Sequence, residues 1–241
     1  MRLPRLHAPA EAQLVQVRFT AALAQACQAF GSNSELDRIA GWLGNQIQSN
    51  QLALHAWALT PSRLLLLLSS PNSSAVSRTV QAIGRRLAAE LKTGRVFEGR
   101  FKSALIEPVW VLPSQIWLET APVKEGYASQ AMSWPWSSAA SHVGHVQAPR
   151  QYAVLLSDHQ SYWACGNTPF DRQATYRIKL LNGLLASQRE RIESALSGQW
   201  ALGSQQYVAQ ISKLASRRVS PGRRGRPPKD VARLTDPSPL N

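Results

Sequence analysis

Apolar and polar residues alternate from Leu14 to Phe19, which predicts a strand. The period then changes. Ser34 has the character of an N-cap, with Glu35 and Asp37 in the first helical turn. Leu36, Ile39, Leu43 and Ile47 follow at helical spacing, so an amphipathic helix is predicted from Ser34 to about Ser49. Leu52 to Leu59 reads as a second strand. Pro61 and Ser62 turn the chain, and Leu64 to Leu68 is a third strand. Five leucines without alternation imply a strand covered on both faces. Asn72 to Lys92 reads as a second long helix, with Val76, Val80, Ile83, Leu87 and Leu91 along one side. Phe101 to Ile106 is a fourth strand.

Strand, helix, strand, strand, helix, strand is the order of a ferredoxin-like fold. The expected class is α+β, β-α-β-β-α-β, with a four-stranded antiparallel sheet and both helices on one face. Beyond it, Pro113 to Thr120 suggests a short helix, and 126–170 reads as irregular. Asp171 to about Leu196 reads as helical, and Ser204 to Leu214 as a last helix after a break at Gly203. From Arg217 on, Pro, Gly and Arg dominate, and a disordered basic tail is expected. The expected organisation is a core over 1–125, a mostly helical C-terminal extension over 126–216, and the tail over 217–241.

Charge narrows the partners. The 241 residues carry 27 Lys+Arg against 14 Asp+Glu, a formal net charge of +13. This excess favours a polyanion, with nucleic acid ahead of a membrane surface. The longest pure apolar run, Leu64 to Leu68, is far short of a membrane span. No secretory leader is visible, and two cysteines, Cys27 and Cys165, make no disulfide framework. A cytoplasmic, nucleoid-associated location is expected. The cations cluster twice. One group, over 78–102, includes Arg78, Arg85, Arg95, Arg100 and Lys102. The other, over 213–229, has no acidic residue and includes Arg224 and Arg226.

Local motifs extend the picture. Arg2-Leu3-Pro4-Arg5-Leu6 opens the chain, and Leu54-His55-Ala56-Trp57-Ala58-Leu59-Thr60-Pro61 leads into the third strand. Phe97-Glu98-Gly99-Arg100-Phe101-Lys102-Ser103, Pro122-Val123-Lys124 and Trp134-Pro135-Trp136-Ser137-Ser138 follow. Tyr162 to Phe170, Trp200 to Ser204 and Arg224-Gly225-Arg226-Pro227 complete the set. In order and spacing these resemble the REP-associated tyrosine transposases, a branch of the single-tyrosine HUH transposases, over nearly the whole chain. The resemblance implies recognition of short DNA hairpins with a single-stranded flank. It also implies two histidines, two residues apart on the third strand, that hold a divalent metal, and a helical tyrosine that attacks the phosphate.

The chain departs from that pattern at all three positions. The histidine positions map onto Arg63 and Leu65, neither of which can ligate a divalent cation, and the tyrosine position maps onto Trp117. These three are read as vestiges of a catalytic site, with no catalytic residue, metal or cofactor expected. Arg63 either grips a phosphate directly or pairs with an acid such as Glu119. Leu65 and Trp117 either pack together or leave Trp117 to stack on an unpaired base.

Stand-ins are few. His55 is the histidine nearest in sequence to the motif. His142 and His145 have no carboxylate or cysteine close by in sequence, Tyr127 is not expected to face the same spot as Trp117, and His7 and His159 read as isolated surface groups. The residues expected to contact DNA are Arg2, Arg5, Arg63, Arg78, Arg85, Arg100, Lys102, Arg224 and Arg226, the last two within a stretch similar to an AT-hook core. The expected function is hairpin or single-stranded DNA binding without cleavage, by a monomer. The alternatives are an active transposase or nuclease with relocated ligands, and a protein-interaction scaffold.

Overall fold

The computed structural model describes residues 4–9, 11–29, 34–92, 94–145 and 154–222. The first half contains β1 (Ala12–Arg18), α1 (Ala21–Ala29), α2 (Ser34–Ser49), β2 (Ala53–Thr60), β3 (Arg63–Ser69), α3 (Ala75–Glu90) and β4 (Lys102–Ile106). These four strands lie in the order β2-β3-β1-β4, and each neighbouring pair is antiparallel. This is the α+β, ferredoxin-like arrangement that the sequence pattern predicts.

Two differences lie inside this frame. The unpredicted α1 is a run of small and polar residues with weak periodicity, which the pattern does not separate from a loop. The sheet also has a fifth strand, β5 (Ala201–Leu202), which pairs parallel to β4 and is too short to leave a pattern of its own.

Every leucine of β3 from Leu64 to Leu68 is buried, and alternation sends them to opposite faces. Leu64, Leu66 and Leu68 join Val15 and Val17 under α2 and α3, which supply Ile39, Leu43, Val80, Ile83 and Leu87. Both long helices therefore cover one face, as expected. Leu65 and Leu67 join Leu14, Ala56, Ala58 and Ala104 on the other face, beneath α4 (Pro108–Glu119) and α9 (Ala186–Gly198).

Helix α4 starts five residues before the predicted Pro113. Pro108 takes the first-turn position in which proline's missing N–H costs nothing, and Pro113 lies within the helix. The segment expected to be irregular contains α6 (Ala139–His142) and α7 (Gln160–Trp163), after a short α5 (Ala121–Lys124). The single helix expected over 171–196 is two. Helix α8 (Pro169–Asn182) stops at Gly183, whose φ of +68° lies in the left-handed region that glycine enters at little cost, and α9 follows. The last helix, α10 (Gln205–Leu214), is capped by the Ser204 side chain, which accepts from the Tyr207 N–H. No helix among the described residues is long and apolar enough to cross a membrane.

Candidate nucleic-acid interface

Three sites follow from this frame. The first is the face under α4, where Arg63 and Leu65 share one side of β3. Leu65 is fully buried in the apolar cluster that also contains Trp117. Arg63 is tied down. Its Nε donates to Glu125 Oε1 at 2.7 Å and its second guanidinium nitrogen lies 2.5 Å from the same oxygen. Glu125 Oε2 accepts from Thr60 Oγ1 at 2.9 Å and Ser62 Oγ at 2.7 Å. The sequence suggests Glu119 as the acid beside Arg63. Helix α5 brings Glu125 there instead, while Glu119 turns into the interior with Ser138 and His142.

The Arg63 guanidinium also lies over the Trp117 ring, 5.7 Å from its centroid, and the indole N–H donates to Glu193 Oε1 on α9. A divalent cation needs lone pairs where the histidines of the resemblance would stand, and these positions offer a guanidinium locked in an ion pair and a buried aliphatic group. The residues present do not fit the metal. Tyr127 keeps apart from Trp117, packing against the cluster under α2 and α3 while Trp117 belongs to the opposite face, and it lines a cavity of about 550 Å³ beside Arg63 with Gln16, Arg18 and Glu98. The chain reverses after α5 through Gly126, at φ +78°, and this brings Tyr127 back to the site.

The second site is basic. Arg5, Arg85, Arg95 and Arg100 surround a cavity of about 780 Å³ whose floor includes Val80, Val96, Phe97 and Phe101. Among the described residues that line it there is no carboxylate. The Arg5 guanidinium lies over the Phe101 ring, 3.5 Å from its centroid, and its Nε is buried without an acceptor among the described residues. Burial first, and Arg100 second, bring the Arg5 guanidinium down to about 10. Two cations held close together on an apolar floor create a strong positive potential. Gly84 in α3 makes room for the floor, since a Cβ there would meet the Phe97 ring at 2.7 Å.

Three of the residues expected to contact DNA, Arg5, Arg85 and Arg100, thus converge on one basin, joined by Arg95 from the same charge run. Arg78 and Lys102 do not line it. Arg78 is held by Asn50 Oδ1 at 3.0 Å and Ser74 Oγ at 2.5 Å. Lys102 points to the opposite face of the sheet from Phe101, with Nζ 3.5 Å from Ser197 Oγ, because neighbours on a strand alternate. Arg2, Arg224 and Arg226 lie outside the described residues.

The third site is a buried polar cluster that sequence spacing conceals. Glu119 is fully buried and accepts three hydrogen bonds, from Ser138 Oγ (2.5 Å), His142 Nδ1 (2.6 Å) and Tyr176 OH (2.7 Å). A carboxylate therefore does stand beside His142, 23 positions away in sequence. His145 is exposed. His159 is not isolated either. Its ring meets His55 edge-on at 5.0 Å, and burial holds it down at about 4, with His55 adding to the effect. His55 occupies a bulge in β2, which aims its ring at Ser157 O (2.6 Å) and Ser69 Oγ (2.9 Å). His7 Nε2 lies 3.3 Å from Ser70 O. Among the described residues no three His, Cys, Asp or Glu side chains converge as a metal site.

No protein-family model matches the chain, and no curated protein matches it. Among solved structures, the chain is similar to that of the REP-associated tyrosine transposase bound to a REP hairpin. The identity is 15% and the TM-score 0.52, over 67% of this chain and 96% of that one. At this identity the likeness is one of fold.

Proposed function

We propose that this protein binds DNA, as a hairpin or a single strand, and does not cut it. The observation that carries the reading is the four-arginine basin on an aromatic floor, lined by no carboxylate among the described residues. Guanidinium groups take phosphates in a fork geometry, and aromatic rings on the same surface offer stacking to unpaired bases. The structural neighbour is bound to a DNA hairpin, which supports the same class of ligand.

The absence of cutting rests on Arg63, Leu65 and Trp117. An ion-paired guanidinium, a buried leucine and an indole provide neither a metal ligand nor an ionisable oxygen. On this reading the chain is a degenerate relative of the REP-associated tyrosine transposases that acts as a monomer. The 1–125 core then grips the hairpin, and the tail over 217–241 adds a second contact through Arg224 and Arg226.

The test is a binding series against hairpin, single-stranded and duplex DNA of one composition at several salt concentrations. The expected result is preference for the hairpin or single strand and an affinity that falls steeply with salt as counterions are released. Indifference to DNA overturns the reading in favour of a protein scaffold. A denaturing gel after incubation with manganese tests for cutting. A DNA adduct mapped to Tyr127, the phenol in the Arg63 cavity, would establish a relocated nucleophile and overturn the absence of cleavage.

A further inference from the structure

We propose that the cavity between α6, α7 and α8 is a base pocket selective for guanine, offered by a nucleic acid strand or a free nucleotide. The proposal deepens the nucleic-acid reading at a second place and uses none of the basin arginines. The cavity has a volume of about 520 Å³, the size of a small-molecule site. Leu156, Pro169 and the half-exposed indole of Trp163 give it flat apolar walls. Such walls hold a base by stacking, whatever its identity.

Selectivity comes from the polar groups. His142 lines the cavity although its side chain is only 2% exposed. Its Nδ1 faces Glu119 at 2.6 Å. The opposite ring nitrogen, Nε2, is buried with no hydrogen-bond partner, and Asp158 Oδ1 stands 3.7 Å from it. That separation is too long for a hydrogen bond. The Asp158 carboxylate lines the same cavity with its side chain about a third exposed, and its two oxygens are acceptors that call for donors. Arg172, on the same wall, is a donor that spends one N–H on a long 3.4 Å bond to Gly166 O.

One donor group and two acceptors complement a single base edge. Guanine presents O6 as an acceptor beside N1–H and the N2 amino group as donors. Adenine and cytosine each present one donor group, and thymine presents one N–H between two carbonyls. A base that lacks the second donor leaves one desolvated oxygen of Asp158 unpaired, which is how a polar site rejects the wrong ligand.

Isothermal titration of the full chain with GMP, AMP, CMP and TMP reads the pocket directly. GMP is expected to bind at least tenfold tighter than AMP, and Asp158→Asn to lose at least tenfold for GMP with its melting temperature unchanged. Asp158 is partly exposed and outside the Glu119 cluster, so the variant keeps the fold, which His142→Ala would not. Equal binding of GMP and AMP, or an unchanged GMP affinity in Asp158→Asn, overturns the proposal. Inosine in place of each unpaired guanine of a hairpin ligand separates the sources. A loss of affinity in the wild type but not in Asp158→Asn assigns the pocket to the strand, and GMP selectivity without that loss assigns it to a free nucleotide. Arg100→Ala is expected to weaken hairpin binding and leave the GMP titration unchanged. Hairpin binding that survives alongside failed GMP selectivity therefore removes only the pocket, and the converse removes only the DNA reading.

Discussion

The indole N–H of Trp117 donates to Glu193 Oε1 at 3.2 Å, so α4 and α9 are tied together where the resemblance places a nucleophile. The ring also fills space beside Leu65 and lies under Arg63. Trp117→Tyr would install a phenol at this position but remove both the bond and part of the packing. The variant is expected to lose roughly 1–3 kcal/mol of stability in a denaturant titration and to form no DNA adduct on a denaturing gel.

Leu65 gives a sharper version of the same test. It is fully buried among apolar neighbours. Leu65→His puts an imidazole in a place with no polar partner, at a cost on the order of 2–4 kcal/mol. Thermal unfolding checks this, and a melting temperature equal to the wild type's would show that the position still tolerates a ligand.

Arg63 and Arg100 are expected to behave oppositely. Arg63→Ala removes the ion pair to Glu125 and costs about 1 kcal/mol of stability, with DNA affinity held, because the guanidinium is already engaged. Arg100→Ala weakens DNA binding, and Arg85→Ala does so with stability unchanged. The salt slope falls by about one for each phosphate no longer neutralised. Binding measured at three salt concentrations separates them.

Gly84→Ala would raise helix propensity by about 1 kcal/mol at an unconstrained site. Here the added methyl meets the Phe97 ring at 2.7 Å. The expected outcome is reversed in sign, a net loss of about 1 kcal/mol together with weaker DNA binding as the basin floor shifts.

Acid is expected to loosen the β2 edge. The His159 ring is held at about 4, below its ordinary 6.5, and burial lowers His55 as well. The unfolded chain therefore takes up protons between about pH 6.5 and 4 that the folded chain does not. Stability is full above this window and falls as the pH drops through it. His159→Asn keeps a side-chain oxygen that accepts from the Ser161 N–H and should flatten the slope when melting temperature is plotted against pH.

The core is legible in the sequence because its signals are local. Helical spacing marks α2 and α3, and the unbroken leucine run marks a strand covered twice. The converging arginines are legible as a charge run, although only the fold separates Arg85 and Arg100 in the basin from Lys102 behind the sheet. The Glu119 cluster is not legible. Its members come from α4, α6 and α8, and a buried carboxylate among serine, histidine and tyrosine leaves no periodic trace. The separation of Tyr127 from Trp117 is legible from Pro122 and Gly126, whereas its place beside Arg63 depends on the glycine turn and is not. The start of α4 is hidden because two prolines compete for one role, and spacing alone does not rank them.

One strand separates two interiors. Even-numbered leucines of β3 belong to the apolar cluster shared with Val80, Val96 and Phe101 of the basin floor, and odd-numbered ones to the cluster shared with Trp117. Neighbouring positions of one short segment thus serve two separate interiors. On the proposed function, the face that carries Trp117 can change without disturbing the face that supports the basin.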